Sequence, residues 1–389
     1  KIMSEYNELT NIDIEGKNVL LREDLNVPMA NNKIINDARI RAAIPTIKYI
    51  LSKGAKVAII SHFGRPAEGV YNKKYSLEKV AVRLSEILGE EVFFENTPLD
   101  TKSPEYQNKI TLYENTRFLV GEKSGDENLA KKIAKNCEVF VMDAFGASHR
   151  KHSSTYTISK FAPITCGGLL LINEISNLEK IFTNPKKPIL AVIGGSKVSS
   201  KLNVLKELMS KVDTIIIGGG IANTFLLSSG YPIGQSLAEE NMINDAKNII
   251  NLAKKNNVDI PLPIDVVCGI NADATNKDIN EVLENELIKD IGPKTSLIYK
   301  KYIEEAGTII WNGPVGVFED ILFENGTKNI AVSISKSKAL TIAGGGDTIS
   351  AIEKFINIDK VNYISTGGGA FLEFLEGNEL PGIKIIKKL

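Results

Sequence analysis

An apolar, β-rich run from Ala339 to Ala343 ends in Gly344-Gly345-Gly346-Asp347-Thr348, an order of residue types that suits phosphate chemistry. Bare glycine backbone lets anionic oxygens reach main-chain N–H groups. An acid and a hydroxyl can cap a helix beginning near Thr348, whose dipole attracts phosphate. Asp347 can also hold a Mg²⁺ that neutralises the same oxygens. Taken singly, such a turn is equally a plain tight connection. The second half of the chain repeats it, however: Gly194-Gly195-Ser196-Lys197, Gly218-Gly219-Gly220, Asn312-Gly313-Pro314-Val315-Gly316 and Thr366-Gly367-Gly368-Gly369 are further glycine-marked strand ends. Lys197 and Lys201 are four apart, so a helical segment there presents both ammonium groups on one face near its positive end. A solvated basic face is the bland alternative, and the adjacent Gly194 and Gly195 favour a phosphate clamp.

The first half offers different chemistry. Every arginine and histidine lies at or before His152, and Arg65, Arg117 and Arg150 each follow a predicted strand within a few residues. Arginine grips carboxylate and phosphate bidentately, so their coincidence points to a site for a small polyanion. Asp24 and Asn26 either brace a turn or meet substrate hydroxyls; His62 is either a structural hydrogen-bonding residue or a ligand contact. One half thus offers arginines to an anion, and the other offers glycine turns, lysines and a carboxylate to a Mg-nucleotide. That is the layout of a kinase.

These residues need strands and helices to place them. Strands are predicted at Asn18 to Arg22, Lys56 to Ser61, Val92 to Phe94, Ile110 to Tyr113 and Val139 to Met142. Helices are predicted at about Asp37 to Ser52, Leu77 to Leu88 and Leu129 to Lys135, with Pro45 marking either a kink or a first turn. Such alternation argues a parallel, doubly wound sheet, whose ligands bind beyond the carboxyl ends of the strands. Ile172, Ile175, Leu178 and Ile181 outline a connector helix closed by Pro185 and Pro188, and a second alternating series starts at Ile189.

At 389 residues two domains are expected, and 43% apolar with 24% charged residues is ordinary for a globular chain. A net charge of zero gives no argument for nucleic acid or an anionic membrane surface. Cys137, Cys166 and Cys268 show no metal or disulfide spacing, so a reducing cytoplasm is the expected setting. No apolar run reaches membrane-span length, and residues 4–11 do not read as a signal peptide. No GxxxxGK[ST], GxGxxG, DFG or HRD occurs, which argues against P-loop, standard dinucleotide and protein-kinase folds.

Arg22-Glu23-Asp24-Leu25-Asn26-Val27-Pro28, Ser61-His62-Phe63-Gly64-Arg65-Pro66, Glu114-Asn115-Thr116-Arg117-Phe118, Asp143-Ala144-Phe145-Gly146, Gly194-Gly195-Ser196-Lys197-Val198, Trp311-Asn312-Gly313-Pro314-Val315-Gly316, Gly344-Gly345-Gly346-Asp347-Thr348 and Ser365-Thr366-Gly367-Gly368-Gly369-Ala370 together resemble the phosphoglycerate kinase family, in order along nearly the whole chain. The resemblance implies an α/β protein with two Rossmann-like doubly wound parallel-sheet domains, a hinge helix and a cleft between the domains. Residues 1–171 would bind phosphoglycerate, 172–376 would comprise the interdomain helix and the nucleotide domain, and 377–389 would pack back on the first domain. It implies transfer of the acyl phosphate of 1,3-bisphosphoglycerate to Mg-ADP, in line and without a phosphoenzyme, by a cytoplasmic monomer. Asp24, Asn26, Arg39, His62, Gly64, Arg65, Arg117 and Arg150 would hold the phosphoglycerate. Lys197, Lys201, Gly219, Gly292, Asn312, Glu319, Gly345, Gly346, Asp347 and Thr348 would hold the nucleotide, with Asp347 on Mg²⁺ and Glu319 on the ribose. Arg39, Lys197 and Gly368 would be catalytic. Glu23 and Ser148 depart from the family's usual residues, with consequences expected only for local packing. The competing classes are a nucleotide-binding regulatory protein without turnover, which the complete cationic set opposes, and a dehydrogenase, which the missing GxGxxG opposes.

Overall fold

Runs such as Val139-Phe140-Val141-Met142 and Ile189-Leu190-Ala191-Val192-Ile193 lack polar alternation, as befits strands covered on both faces. The computed structural model describes residues 5–270, 273–365 and 367–388, without the side chains of Ile181, Phe182 and Ile270. Lys1 and Ile2, Thr366 of the last glycine turn, and the side chain of Ile181 in the connector repeat lie outside the described residues. The chain groups into two units, Lys1–Ser176 with Glu379–Leu389, and Asn177–Asn378.

In the first unit six parallel strands run in the order Phe93–Glu95, Ile110–Tyr113, Lys56–Ile60, Asn18–Arg22, Val139–Met142 and Ile164–Gly167. Register places Arg22 beside Ile60 on one flank and Met142 on the other, so polar residues following these strands emerge along one edge. Helix Ala38–Ser52 buries Ile40, Ala43, Ile47 and Ile50, an apolar stripe at helical spacing. Pro45 lies inside it, past the first turn, so it is not a helix-start proline. The strand Ile164–Gly167 had no sequence expectation. Residues near 388 return to this unit: Asn7 N donates to Ile386 O at 2.7 Å and Lys388 N to Glu5 O at 2.9 Å.

The second unit holds a five-stranded parallel sheet, ordered Thr214–Ile217, Ile189–Ile193, Thr308–Asn312, Leu340–Gly344 and Tyr363–Ser365. Each of its strands ends in one of the glycine turns, so all five turns share one edge. An antiparallel sheet, Asp273–Asp278, Asp265–Ile270 and Leu287–Ile291, was not anticipated. It contributes Val266 and Cys268 to a small core with Leu226, Ile233, Ile279 and Val282. The connector helix starts earlier than Ile172, spanning Leu169–Thr183, and the division between units falls inside it at Ser176/Asn177. Among the described residues no helix is long and apolar enough to cross a membrane.

Candidate functional site

The first-unit cluster is built from four neighbouring strand ends. Arg39, on the first turn of helix Ala38–Ser52, donates from Nη1 to Asp24 Oδ1 at 3.1 Å and to the Asn26 carbonyl at 2.9 Å. Asn26 Oδ1 accepts from Gly64 N at 2.8 Å, tying the first loop to the second. Arg117 donates to the Gly64 carbonyl, while its buried Nε meets no acceptor. Asn115 locks the loops: Oδ1 accepts from Phe63 N and Arg117 N, both at 3.0 Å, and Nδ2 donates to Phe63 O and Tyr75 O. Arg65 is exposed; Arg150 is half-buried and donates from Nε to His149 Nε2 at 3.0 Å.

Arg22 was not among the expected site residues, yet it organises one of them. It is 1% exposed and presents Nη2 to His62 Nδ1 at 3.1 Å, with Nε donating to Ser154 Oγ at 3.2 Å. A guanidinium can only donate, so Nδ1 accepts and the proton of His62 sits on Nε2. Burial, then Arg22, Arg117, Arg150 and Arg39, hold the His62 pKa well below the usual histidine value, so the ring is a neutral donor at pH 7. Burial, then Arg150 and Arg22, lower Arg117 to about 10. His149 and His152 are pushed down to about 4 by burial and by Arg150. The guanidinium groups that gather at these strand ends are suited to a small polyanion. The sequence signal for Arg22 was its place at a strand end, but its burial was not readable there.

The second-unit site is a cavity of about 230 Å³ at the glycine edge. Backbone from Gly195, Gly219, Gly220 and Gly316 lines one part, and Leu226, Leu237, Val266 and Val317 line another, where a flat apolar ring can lie. Glu319 and Asp347 are its exposed acids, and Asp347 sits in the first turn of helix Gly346–Phe355. The turns meet backbone to backbone: a Cβ on Gly194 would lie 1.8 Å from the Pro314 carbonyl oxygen.

Two local expectations fail here. The helix cap is not a side chain, because Gly345 occupies the cap position with φ 100° and Thr348 already lies inside the first turn. Its hydroxyl instead donates to Gly344 O at 2.9 Å and accepts from Gly313 N at 2.7 Å, joining adjacent turns. Lys197 and Lys201 do not share a helical face, since the helix begins at Leu202, beyond both. The buried Val198 anchors the intervening turn, leaving Lys197 exposed. Lys201 is half-buried and donates to Asn312 Oδ1, whose Nδ2 donates to Gly344 O at 2.6 Å. Burial lowers its ammonium to about 8, against the opposing pull of Asp347 and Glu376.

Gly368 caps helix Gly369–Leu375 at the end of the last strand. Gly292 caps helix Pro293–Glu305 and is packed against Asp265, behind the cavity wall rather than in it. Asp290, which no motif singled out, lines the cavity and accepts from Gly326 N at 2.6 Å and Ile291 N at 2.9 Å. Burial raises it to about 7. Among the described residues no three His, Cys, Asp or Glu side chains gather to hold a metal. A single exposed acid still fits Mg²⁺, which typically takes one or two carboxylates and completes its shell with phosphate oxygens and water.

Comparison with known proteins bears on the family and the fold. A family model described as phosphoglycerate kinase matches residues 9–378. A phosphoglycerate kinase of Francisella philomiragia is 50% identical over 387 residues, covering 98% of each chain. The solved phosphoglycerate kinase of Coxiella burnetii aligns with a TM-score of 0.91 at 47% identity, covering 98% of each chain. That of Pyrococcus horikoshii gives 0.83 at 30% identity, again covering 98% of each.

Proposed function

This chain belongs to the phosphoglycerate kinase family, and from that premise we propose how its residues divide the reaction. The activity is the ATP-generating step of glycolysis, between 1,3-bisphosphoglycerate with ADP and 3-phosphoglycerate with ATP. In our reading the arginine cluster of the first unit holds phosphoglycerate. Arg65, Arg117 and Arg150 take its anionic groups, while Asp24, Asn26 and the Nε2–H of His62 take its oxygens. The cavity of the second unit holds the nucleotide, its base against the apolar wall, its ribose at Glu319 and its phosphates at the glycine turns and Lys201. Asp347 would hold Mg²⁺, which supplies charge neutralisation at those phosphates when bound.

A phosphoryl group in transfer spreads charge over three oxygens and needs positioning and cations more than acid or base. Arg39, Lys197 and the N–H groups that follow Gly368 are the donors we assign to those oxygens. They belong to different units, so the reading includes closure of a cytoplasmic monomer once both ligands are bound. The observation that carries the reading is the concentration of arginine field in one unit and of ligand-sized, glycine-lined space in the other.

Calorimetric titration of each ligand separately tests the division. Arg65→Ala weakens 3-phosphoglycerate and spares Mg-nucleotide, whereas Asp347→Asn weakens Mg-nucleotide and spares 3-phosphoglycerate. Equal losses for both ligands in either variant contradict it.

A further inference from the structure

Behind the arginine cluster lies a pair of carboxyl groups that no step of the transfer uses. Glu23 follows Arg22 at one strand end and Asp143 follows Met142 on the neighbouring strand; the parallel register sets them side by side. Asp143 N donates to Arg22 O at 2.9 Å, and the two residues are 1% and 0% exposed. The two carboxyl groups lie within electrostatic reach of each other. Both oxygens of Glu23 and Oδ2 of Asp143 receive no N–H or O–H donor. Two ionised carboxylates buried side by side repel, so one of the pair keeps its proton. Burial raises both groups above the ordinary carboxyl range, Glu23 well above it.

The other side of Asp143 decides which residue carries the proton. Its Oδ1 accepts from Leu171 N at 2.9 Å, and it also bonds the Thr46 hydroxyl and Leu170 N, at the N-terminus of helix Leu169–Thr183. Open helix N–H groups and the helix dipole favour negative charge there, which leaves the proton to Glu23. Thr46 is on the helix that begins beside Arg39, and Leu169 N donates to its Oγ1 at 3.2 Å. Glu23 itself sits between Arg22, which holds His62, and Asp24, which holds Arg39.

We propose that Glu23 is a positioning residue for phosphoglycerate: as the protonated partner of Asp143, it fixes the Arg22-Glu23-Asp24 segment against the start of helix Leu169–Thr183. The proposal rests on the assignment of Asp24 and Asn26 to phosphoglycerate. The groups facing the pair are Arg22 and Asp24 around Glu23, and Cys166 beside Asp143. A raised carboxyl binds its proton more tightly in the folded chain. Its stabilising contribution is therefore full at acid pH and is lost as pH rises through the raised value of the pair.

Three measurements on the full-length enzyme test it. The infrared difference between wild type and Glu23→Gln at neutral pH contains the carbonyl stretch of a protonated carboxylic acid. Wild type shows an alkaline rise in the KM for 3-phosphoglycerate, and Glu23→Gln, which keeps an N–H donor without titrating, lacks that rise. Glu23→Ala raises the KM for 3-phosphoglycerate severalfold and leaves the KM for nucleotide unchanged. A difference spectrum without that band, an alkaline rise that persists in Glu23→Gln, or equal shifts of both KM values in Glu23→Ala overturns the proposal. Failure of the underlying site assignment is seen separately, as an unchanged 3-phosphoglycerate affinity in Asp24→Asn and Asn26→Ala.

Discussion

The two units answer the same proposed task, holding a phosphorylated ligand, with opposite materials. In the first the site is made of side chains that brace one another and the neighbouring loop: Arg39 on Asp24, Arg22 on His62, Asn26 on the Gly64 N–H. In the second it is made of absences, turns that pass so close that Gly194 has no space for a methyl group. The difference teaches where each is vulnerable. A side-chain site fails by subtraction, because a removed donor leaves charge unanswered. A backbone site fails by addition, because an added atom must push two turns apart.

The largest effect is expected from subtraction at Arg39. Arg39→Ala lowers kcat by about 10²–10³, the typical loss for one transition-state donor, while nucleotide Kd stays near wild type. Steady-state rates with direct nucleotide titration measure this, and a variant that keeps half its activity removes Arg39 from the catalytic set. Addition comes next. Gly194→Ala destabilises the protein by about 1–3 kcal/mol, the usual range for overpacking, and weakens nucleotide while 3-phosphoglycerate binds normally. Thermal unfolding with separate titrations reads both, and an unchanged nucleotide Kd breaks the contrast between the units.

How much of this was legible depended on whether the signal was local. Asp347, Arg117 and the glycine turns stand immediately after apolar runs, so position along the chain already placed them at strand ends. Arg22 stands there too, yet nothing in its neighbours tells that it is sealed beneath His62. Glu23 and Asp143 meet only because two distant strands pair, and the expectation that Glu23 affects packing alone had no access to that contact. The strand Asp273–Asp278 reads Asp-Ala-Thr-Asn-Lys-Asp and is mostly exposed, so it has no apolar alternation to announce it. Thr348 was expected at a cap because hydroxyls favour caps, but the glycine before it had already taken that position.

The smallest expected effect sharpens the comparison through pH. Lys201 titrates near 8 because it is half-buried, so its positive charge is present below that value and lost as pH rises through it. Nucleotide affinity therefore weakens roughly severalfold from about pH 7 to about pH 9, since the bound phosphates favour the ammonium form. In Lys201→Arg the decline is absent. His62, already neutral, adds no histidine titration to the 3-phosphoglycerate site in this range, and the alkaline weakening proposed through Glu23 is untouched by Lys201→Arg. Calorimetry across pH with each ligand separates the two, and a nucleotide decline that persists in Lys201→Arg removes Lys201 as its cause.

The return of residues near 388 to the first unit bears on how the polypeptide is made. The second unit has all of its chain by Asn378, while the first still lacks the segment that hydrogen-bonds to Glu5 and Asn7. During synthesis, domains generally fold in the order in which they emerge from the ribosome. Here the unit that emerges first is completed last, waiting for its final segment while the whole second unit is translated and folded downstream of it.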